Sequence, residues 1–150
     1  MKILIPVLGF DRAGGYRVLS KLADELIMLG NEVQFLCPEG SEQPYYPTCA
    51  TIAWIDEKGF LSNNNNKSGK KNNAFSIQKK LTRALRKIPK NSYDAVIANH
   101  ALTTLPVKRA GLIPKALYYV QAYEPEYYNS PGIKNRILAC LLYTSDAADE

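Results

Sequence analysis

The chain has 150 residues, 46% of them hydrophobic and 22% charged, with nine Gly and nine Pro. That composition excludes disordered, collagen-like and low-complexity chains and suits one compact soluble domain, large enough to bury a core without disulfides. Nineteen Lys and Arg against fourteen Asp and Glu give a net charge of +5, a sign that favours anionic partners such as a nucleotide, a lipid head group or a nucleic acid.

Three cysteines, Cys37, Cys49 and Cys140, form no close pair, so they make neither a disulfide framework nor a zinc site and fit a reducing compartment. No run approaches the roughly 20 apolar residues of a membrane span. Met1 to Leu8 is too short, and too soon followed by Asp11 and Arg12, to be a signal peptide. The expected location is the cytoplasm.

Lys2 to Val7 is a short apolar run that predicts a strand buried on both faces of a parallel sheet. Val18, Leu22, Ala23, Leu26 and Leu29 then recur at helical spacing, with Gly30 placed to end the helix. Glu32 to Cys37 predicts a second strand ended by Pro38 and Gly40, which completes a βαβ unit. Thr51 to Ile55 is a third strand candidate. Ser62 to Asn73, with six Asn, three Lys and one Gly, predicts a mobile surface loop.

From Ala74 to Lys90, Ile77, Leu81, Ala84, Leu85 and Ile88 line one helical face, while Lys79, Lys80, Arg83, Arg86, Lys87 and Lys90 crowd the others. Two further buried strands are predicted, Asp94 to Ala98 and Lys115 to Val120, around a short helix from Leu102 to Ala110. Strands alternating with helices specify an α/β fold with an open, doubly wound, mainly parallel sheet of the Rossmann-like kind.

The segment Phe10 to Val18 joins the first strand to the first helix and holds Gly14-Gly15. In doubly wound folds that junction presents helix amides to phosphates, and glycine lets the backbone approach an anion closely or adopt positive φ. It is not a Gly-x-Gly-x-x-Gly or a P-loop motif, and a Gly pair is also a common plain turn. Near the far end, Glu124 and Glu126 stand among Tyr118, Tyr119, Tyr123, Tyr127 and Tyr128. Such a cluster at the carboxyl edge of the sheet suits a sugar and also suits an ordinary loop.

Three stretches together carry a resemblance: Gly14-Gly15-Tyr16-Arg17-Val18 through Leu22-Ala23-Asp24-Glu25-Leu26 to Gly30-Asn31-Glu32-Val33, then Tyr93-Asp94-Ala95-Val96-Ile97-Ala98-Asn99-His100, then Tyr118 to Glu126. In order and spacing they resemble the N-terminal half of family 4 glycosyltransferases of the GT-B fold. Asn31 stands where that family commonly has His. Its strand-ending His aligns with Asn99, which leaves His100 one place out of register, and Gln121 stands where many members carry a His facing the reacting sugar. Glutamine can hydrogen-bond a hydroxyl but cannot be a general base.

The resemblance implies transfer of a sugar from a nucleotide-sugar donor to a glycan or lipid-linked acceptor, with retention of configuration and no metal or other cofactor, in cell-surface polysaccharide synthesis. It implies a donor-phosphate loop at Gly14 and Gly15 and sugar-facing or acceptor-facing roles for Asp11, Asn99, His100, Gln121 and Glu124. No residue is assigned to the chemical step. His100 has a structural reading beside the sugar-facing one.

The basic helix has two readings, a solvated surface or a peripheral contact with the anionic inner face of a membrane through Lys79, Lys80, Arg83, Arg86 and Lys87. No recognition motif supports nucleic acid. The alternative function is a non-catalytic nucleotide-binding or regulatory Rossmann-like or flavodoxin-like domain.

Cys140 to Glu150 resembles the translated read-through of a sequencing adaptor. On that reading the natural transferase domain spans residues 1–139 and continued further, and without Asp146, Asp149 and Glu150 its charge is +8. The other reading is an amphipathic helix, Ile133 to Tyr143, running into an acidic end.

Overall fold

A computed structural model describes residues 1–66, 73–122, 124–127, 129–135 and 137–138. The chain runs β1 (Lys2–Pro6), α1 (Gly14–Met28), β2 (Glu32–Pro38), β3 (Thr51–Ile55), β4 (Leu61–Ser62), α2 (Ala74–Lys87), β5 (Ala95–Ala98), α3 (Ala101–Arg109) and β6 (Ala116–Tyr118). One six-stranded sheet has the order β4-β3-β2-β1-β5-β6. Every pairing is parallel except the short β3–β4 hairpin. The fold is therefore the α/β, mainly parallel, Rossmann-like sheet that the alternation predicts. The strand order changes direction between β1 and β5, the switch point where such sheets bind ligands.

Side chains alternate across the central strands and feed two cores. Ile3, Ile5, Val33, Phe35, Cys37 and Trp54 pack under α1 with Leu19 and Ala23. Leu4, Leu36, Ala53, Ile55, Val96 and Ala98 pack under α2 and α3 with Leu81, Ala84, Leu85 and Val107. Burial on both faces is why these strands read as continuous apolar runs.

Local chemistry sets the helix ends. Gly30 has φ +84°, its amide donates to Ile27 O, and the Asn31 amide donates to Leu26 O. This is the pair of bonds that closes a helix through a left-handed glycine. The Asn31 side chain adds a third bond, to Leu26 O at 2.9 Å. Helix α2 stops at Lys87, short of the predicted Lys90, because Ile88 precedes Pro89 and is extended, as a residue before proline prefers. In α3, Pro106 has no N–H to give Leu102 O, and Gln78 of α2 donates its Nε2 to that carbonyl at 3.4 Å.

Three expectations are corrected. Ser62 lies in β4, and the neighbouring asparagines are hydrogen-bonded: Asn65 bridges Gly40 N and Ser41 O, Asn66 donates to Glu39, and Asn73 caps α2 through Ser76 N at 2.8 Å. The rest of that predicted loop, residues 67–72, lies outside the described residues, as does the adaptor-like tail from residue 140. The predicted strand Lys115 to Val120 shrinks to β6, which among the described residues is an edge and not a buried strand; there it pairs with β5 alone, and Leu117 and Val120 are exposed.

Third, the basic residues of α2 are not one free patch. Lys80 is only 2% exposed and pairs with Glu57 at 2.8 Å, which removes it from any membrane-facing set. Beside it Arg83 and Lys87 donate to Glu57 O and Lys58 O. Gly59, at φ +80°, lies so close to α2 that a side chain there would meet Arg83 and the Ala84 amide. The β3–β4 turn is thus clamped onto the helix. Among the described residues no helix is long and apolar enough to cross a membrane.

Candidate functional site at the carboxyl edge of the sheet

A cavity of about 340 Å³ opens at the switch point, between the first turn of α1, the end of β5 and the segment after β6. Gly15, Asn99, His100, Gln121 and Glu124, five of the seven predicted site residues, line it. Gly14 and Asp11 do not. Gly14 has nothing within 4 Å of where a side chain would begin. Asp11 is exposed and turns back to accept the Ala13 amide at 2.6 Å.

Helix α1 begins at Gly14 with no side-chain cap and no acid in its first turn. The Tyr16 amide donates to Ala13 O at 3.0 Å, which leaves the Gly14 and Gly15 amides as donors at the positive end of the helix dipole. Neither glycine uses positive φ; both are helical, so of the two expected uses of glycine here, close approach and positive φ, only close approach applies. A side chain on Gly15 would collide with Gln121 Oε1. Gln121 is exposed and lies across the start of the helix.

The N-terminus of α3 is the opposite case. His100 is its cap: Nδ1 accepts the Leu102 amide at 3.0 Å, while Thr103 Oγ1 accepts from His100 N at 3.3 Å to complete a capping box. Glu124, 4% exposed, accepts the Ala101 amide at 2.8 Å and the Tyr118 hydroxyl at 2.6 Å. Its Oε2 lies 3.4 Å from His100 Nδ1. Burial holds the imidazole below its ordinary pKa of 6.5, against the opposing pull of Glu124. The ring is therefore neutral at pH 7, with Nδ1 as acceptor and the proton on Nε2.

Asn99 is buried and donates its Nδ2 to Pro6 O at 2.7 Å, which ties β5 to β1 across the switch point. The Glu124 carboxylate is thus occupied by the fold, and Asn99 uses one of its donors for it. Gln121 and His100 Nε2 remain as polar groups for a ligand, beside the α1 amides.

Of the other lining residues, Leu8, Ala13, Tyr16, Leu19 and Ala122 were given no site role by sequence reasoning, whereas Tyr127 stood in the predicted aromatic cluster. Tyr16 packs on Phe10 at a centroid distance of 5.8 Å, and burial, then the charge of Asp11, pushes its phenol well above the usual tyrosine range. Its place one residue after the Gly pair was the available signal. Leu8 and Tyr127 supply apolar wall; nothing in its immediate sequence marks Leu8. Tyr123 and Tyr128 of the predicted aromatic cluster lie outside the described residues.

A larger cavity, about 520 Å³, opens at the opposite edge among Lys2, Asn31, Gln34 and Tyr93. Helix C-termini point there, and the Tyr93 hydroxyl already donates to Gln34 Oε1, so the smaller cavity is the better site for an anionic ligand. Burial pushes the Cys37 thiol up to about 12, which makes it an inert core group.

Comparison with known protein families, with curated proteins and with solved structures finds no match to this chain.

Proposed function

We propose that this chain is the acceptor-side half of a retaining glycosyltransferase that moves a sugar from a nucleotide-sugar donor to a glycan or lipid-linked acceptor, as its motifs imply. The observation that carries the reading is the asymmetry at the switch point. Of the two helices whose N-termini meet there, α3 is closed by His100 and the Glu124 carboxylate, whereas α1 is uncapped beside a cavity that Gln121 and His100 also line.

A diphosphate leaving group develops negative charge, and preorganised amides facing it stabilise that charge at no cost in reorganisation. The α1 amides are the donors for it. Gln121 and His100 Nε2 are hydrogen-bonding partners for sugar hydroxyls, and Tyr127 offers a ring face. Donor nucleotide and transfer chemistry would depend on a second domain across the cleft, and a lipid-linked acceptor would bring the protein to a membrane surface.

Independent sequencing of the locus tests the reading. It predicts that reads diverge from the present sequence near Cys140 and continue in frame into a second Rossmann-like domain. The same genomic sequence through Glu150, followed by a stop codon, would overturn it.

A further inference from the structure

We propose that Arg12 and Tyr45 form a subsite for the carboxylate of an acidic sugar, beside the cavity at the switch point. Taking that sugar to be part of the acceptor rests on the transferase reading; the binding itself does not. Residues 39–50 join the parallel strands β2 and β3 without the helix that such crossovers usually contain. The segment is tied to α1 instead. Ser20 Oγ donates to Tyr46 O at 3.3 Å, and Asp24 Oδ1 accepts the Thr48 hydroxyl and the Cys49 amide, each at 2.8 Å. The Tyr46 hydroxyl donates to Arg12 O at 2.9 Å, which fixes the segment to the loop before α1.

These bonds hold two aromatic rings at one side of the candidate site. Tyr45 and Tyr46 meet at 90° with 5.1 Å between ring centres, and the Arg12 guanidinium carbon lies 4.9 Å from the centre of the Tyr45 ring. Arg12 is exposed and Tyr45 is 56% exposed. Ala13, next in the chain, lines the cavity, whereas Arg12 does not. The guanidinium thus sits over Tyr45 and outside the cavity, as a second position for an anion.

Arg12 has no internal counter-ion. Asp11 is turned to the Ala13 amide, and among the described residues no carboxylate pairs with Arg12. A guanidinium stacked on a ring keeps its in-plane N–H groups for the two-point grip that a planar carboxylate fits, and the exposed tyrosine ring gives apolar contact to sugar C–H groups. With Asp11 beside it in the chain, one guanidinium favours a monoanion over the dianion of a phosphate ester.

Binding without sugar transfer tests the subsite. The 150-residue chain is titrated, with NMR observation of backbone amides, against a glucuronosyl-glucose disaccharide, its neutral glucose–glucose counterpart and the 6-phosphate of that counterpart. Saturable shifts at Arg12, Ala13, Tyr45 and Tyr46 are expected with the glucuronosyl disaccharide alone. Nucleotide binding at Gly14 and Gly15 is scored separately, so that either position can fail while the other stands.

Arg12→Gln weakens binding about tenfold or more, as loss of a charge-assisted hydrogen bond does. Arg12→Lys, which keeps the charge and loses the fork, restores only part of it, and Tyr45→Ala also weakens binding. Lys58→Gln, an exposed cation on the β3–β4 turn, leaves it as it was. Equal shifts with the neutral disaccharide, tighter binding of the phosphate, or binding that survives Arg12→Gln would overturn the proposal.

Discussion

The Glu124 carboxylate accepts the Ala101 amide at 2.8 Å, so an internal anion occupies the N-terminus of α3. Helix dipoles favour negative charge there, and the bond joins the segment after β6 to the helix after β5. Because that segment also carries Gln121 across Gly15, Glu124 is a positioning residue for the wall of the cavity.

Removing this carboxylate should be costly. Glu124→Ala leaves the buried Ala101 amide without this acceptor, and an unmade buried hydrogen bond costs about 1–3 kcal/mol, so a loss of at least that size is expected in urea denaturation. Glu124→Gln keeps an acceptor oxygen and should lose about half of that or less. Equal losses in the two variants would show that the hydrogen bonds carry none of the effect.

His100 makes stability depend on pH with a definite sign. Its folded pKa lies below the ordinary 6.5 because burial disfavours the charged ring, so the unfolded chain binds the proton more readily. The contribution is fully present above pH 6.5 and is lost as pH falls through the depressed folded value. The chain has a single His, so His100→Asn, which retains a capping side chain, should flatten stability against pH below 6.5. An unchanged slope in that variant would assign the dependence to carboxylates instead.

Two left-handed glycines separate backbone strain from close approach. Gly30, at φ +84°, has nothing within 4 Å of where a side chain would begin, whereas at Gly59, with φ +80°, that position is 2.7 Å from the Ala84 amide nitrogen. Gly30→Ala should cost roughly 1–2 kcal/mol, the left-handed penalty alone. Gly59→Ala should cost clearly more, because the β3–β4 turn must also lift from α2, loosening the bonds from Arg83 and Lys87. Thermal unfolding of both variants checks the order, and similar losses would mean that the turn is not clamped.

Sequence periodicity located the buried strands and α1 because burial on both sheet faces writes continuous apolar runs, and Gly30 marked a helix end through its left-handed φ. Gly15 was legible from its place between the first strand and the first helix, whereas Asn99 and Gln121 were marked only through the resemblance, and the fold brings all three to one edge. Three things were not legible. Lys80 reads as surface because its burial depends on Glu57, 23 positions earlier in sequence. Glu124 reads as a ligand-facing acid because Ala101 and Tyr118 meet it only in the folded chain. The asparagines before α2 read as loop composition, although the same side chains serve as turn bridges and caps.

On the proposed function, the first turn of α1 receives the diphosphate of a nucleotide. Its most direct test is an NMR titration of the chain with uridine diphosphate and with guanosine diphosphate, observing backbone amides and the single imidazole. That role predicts weak, saturable shifts concentrated at Gly14, Gly15 and His100 with at least one of the two. It also predicts that Gly15→Val weakens binding about tenfold or more, as loss of one charge-assisted hydrogen bond would, while unfolding midpoints stay close because the flexible Gln121 side chain can move aside. Shifts confined to the α2 cations, or binding indifferent to Gly15→Val, would contradict it.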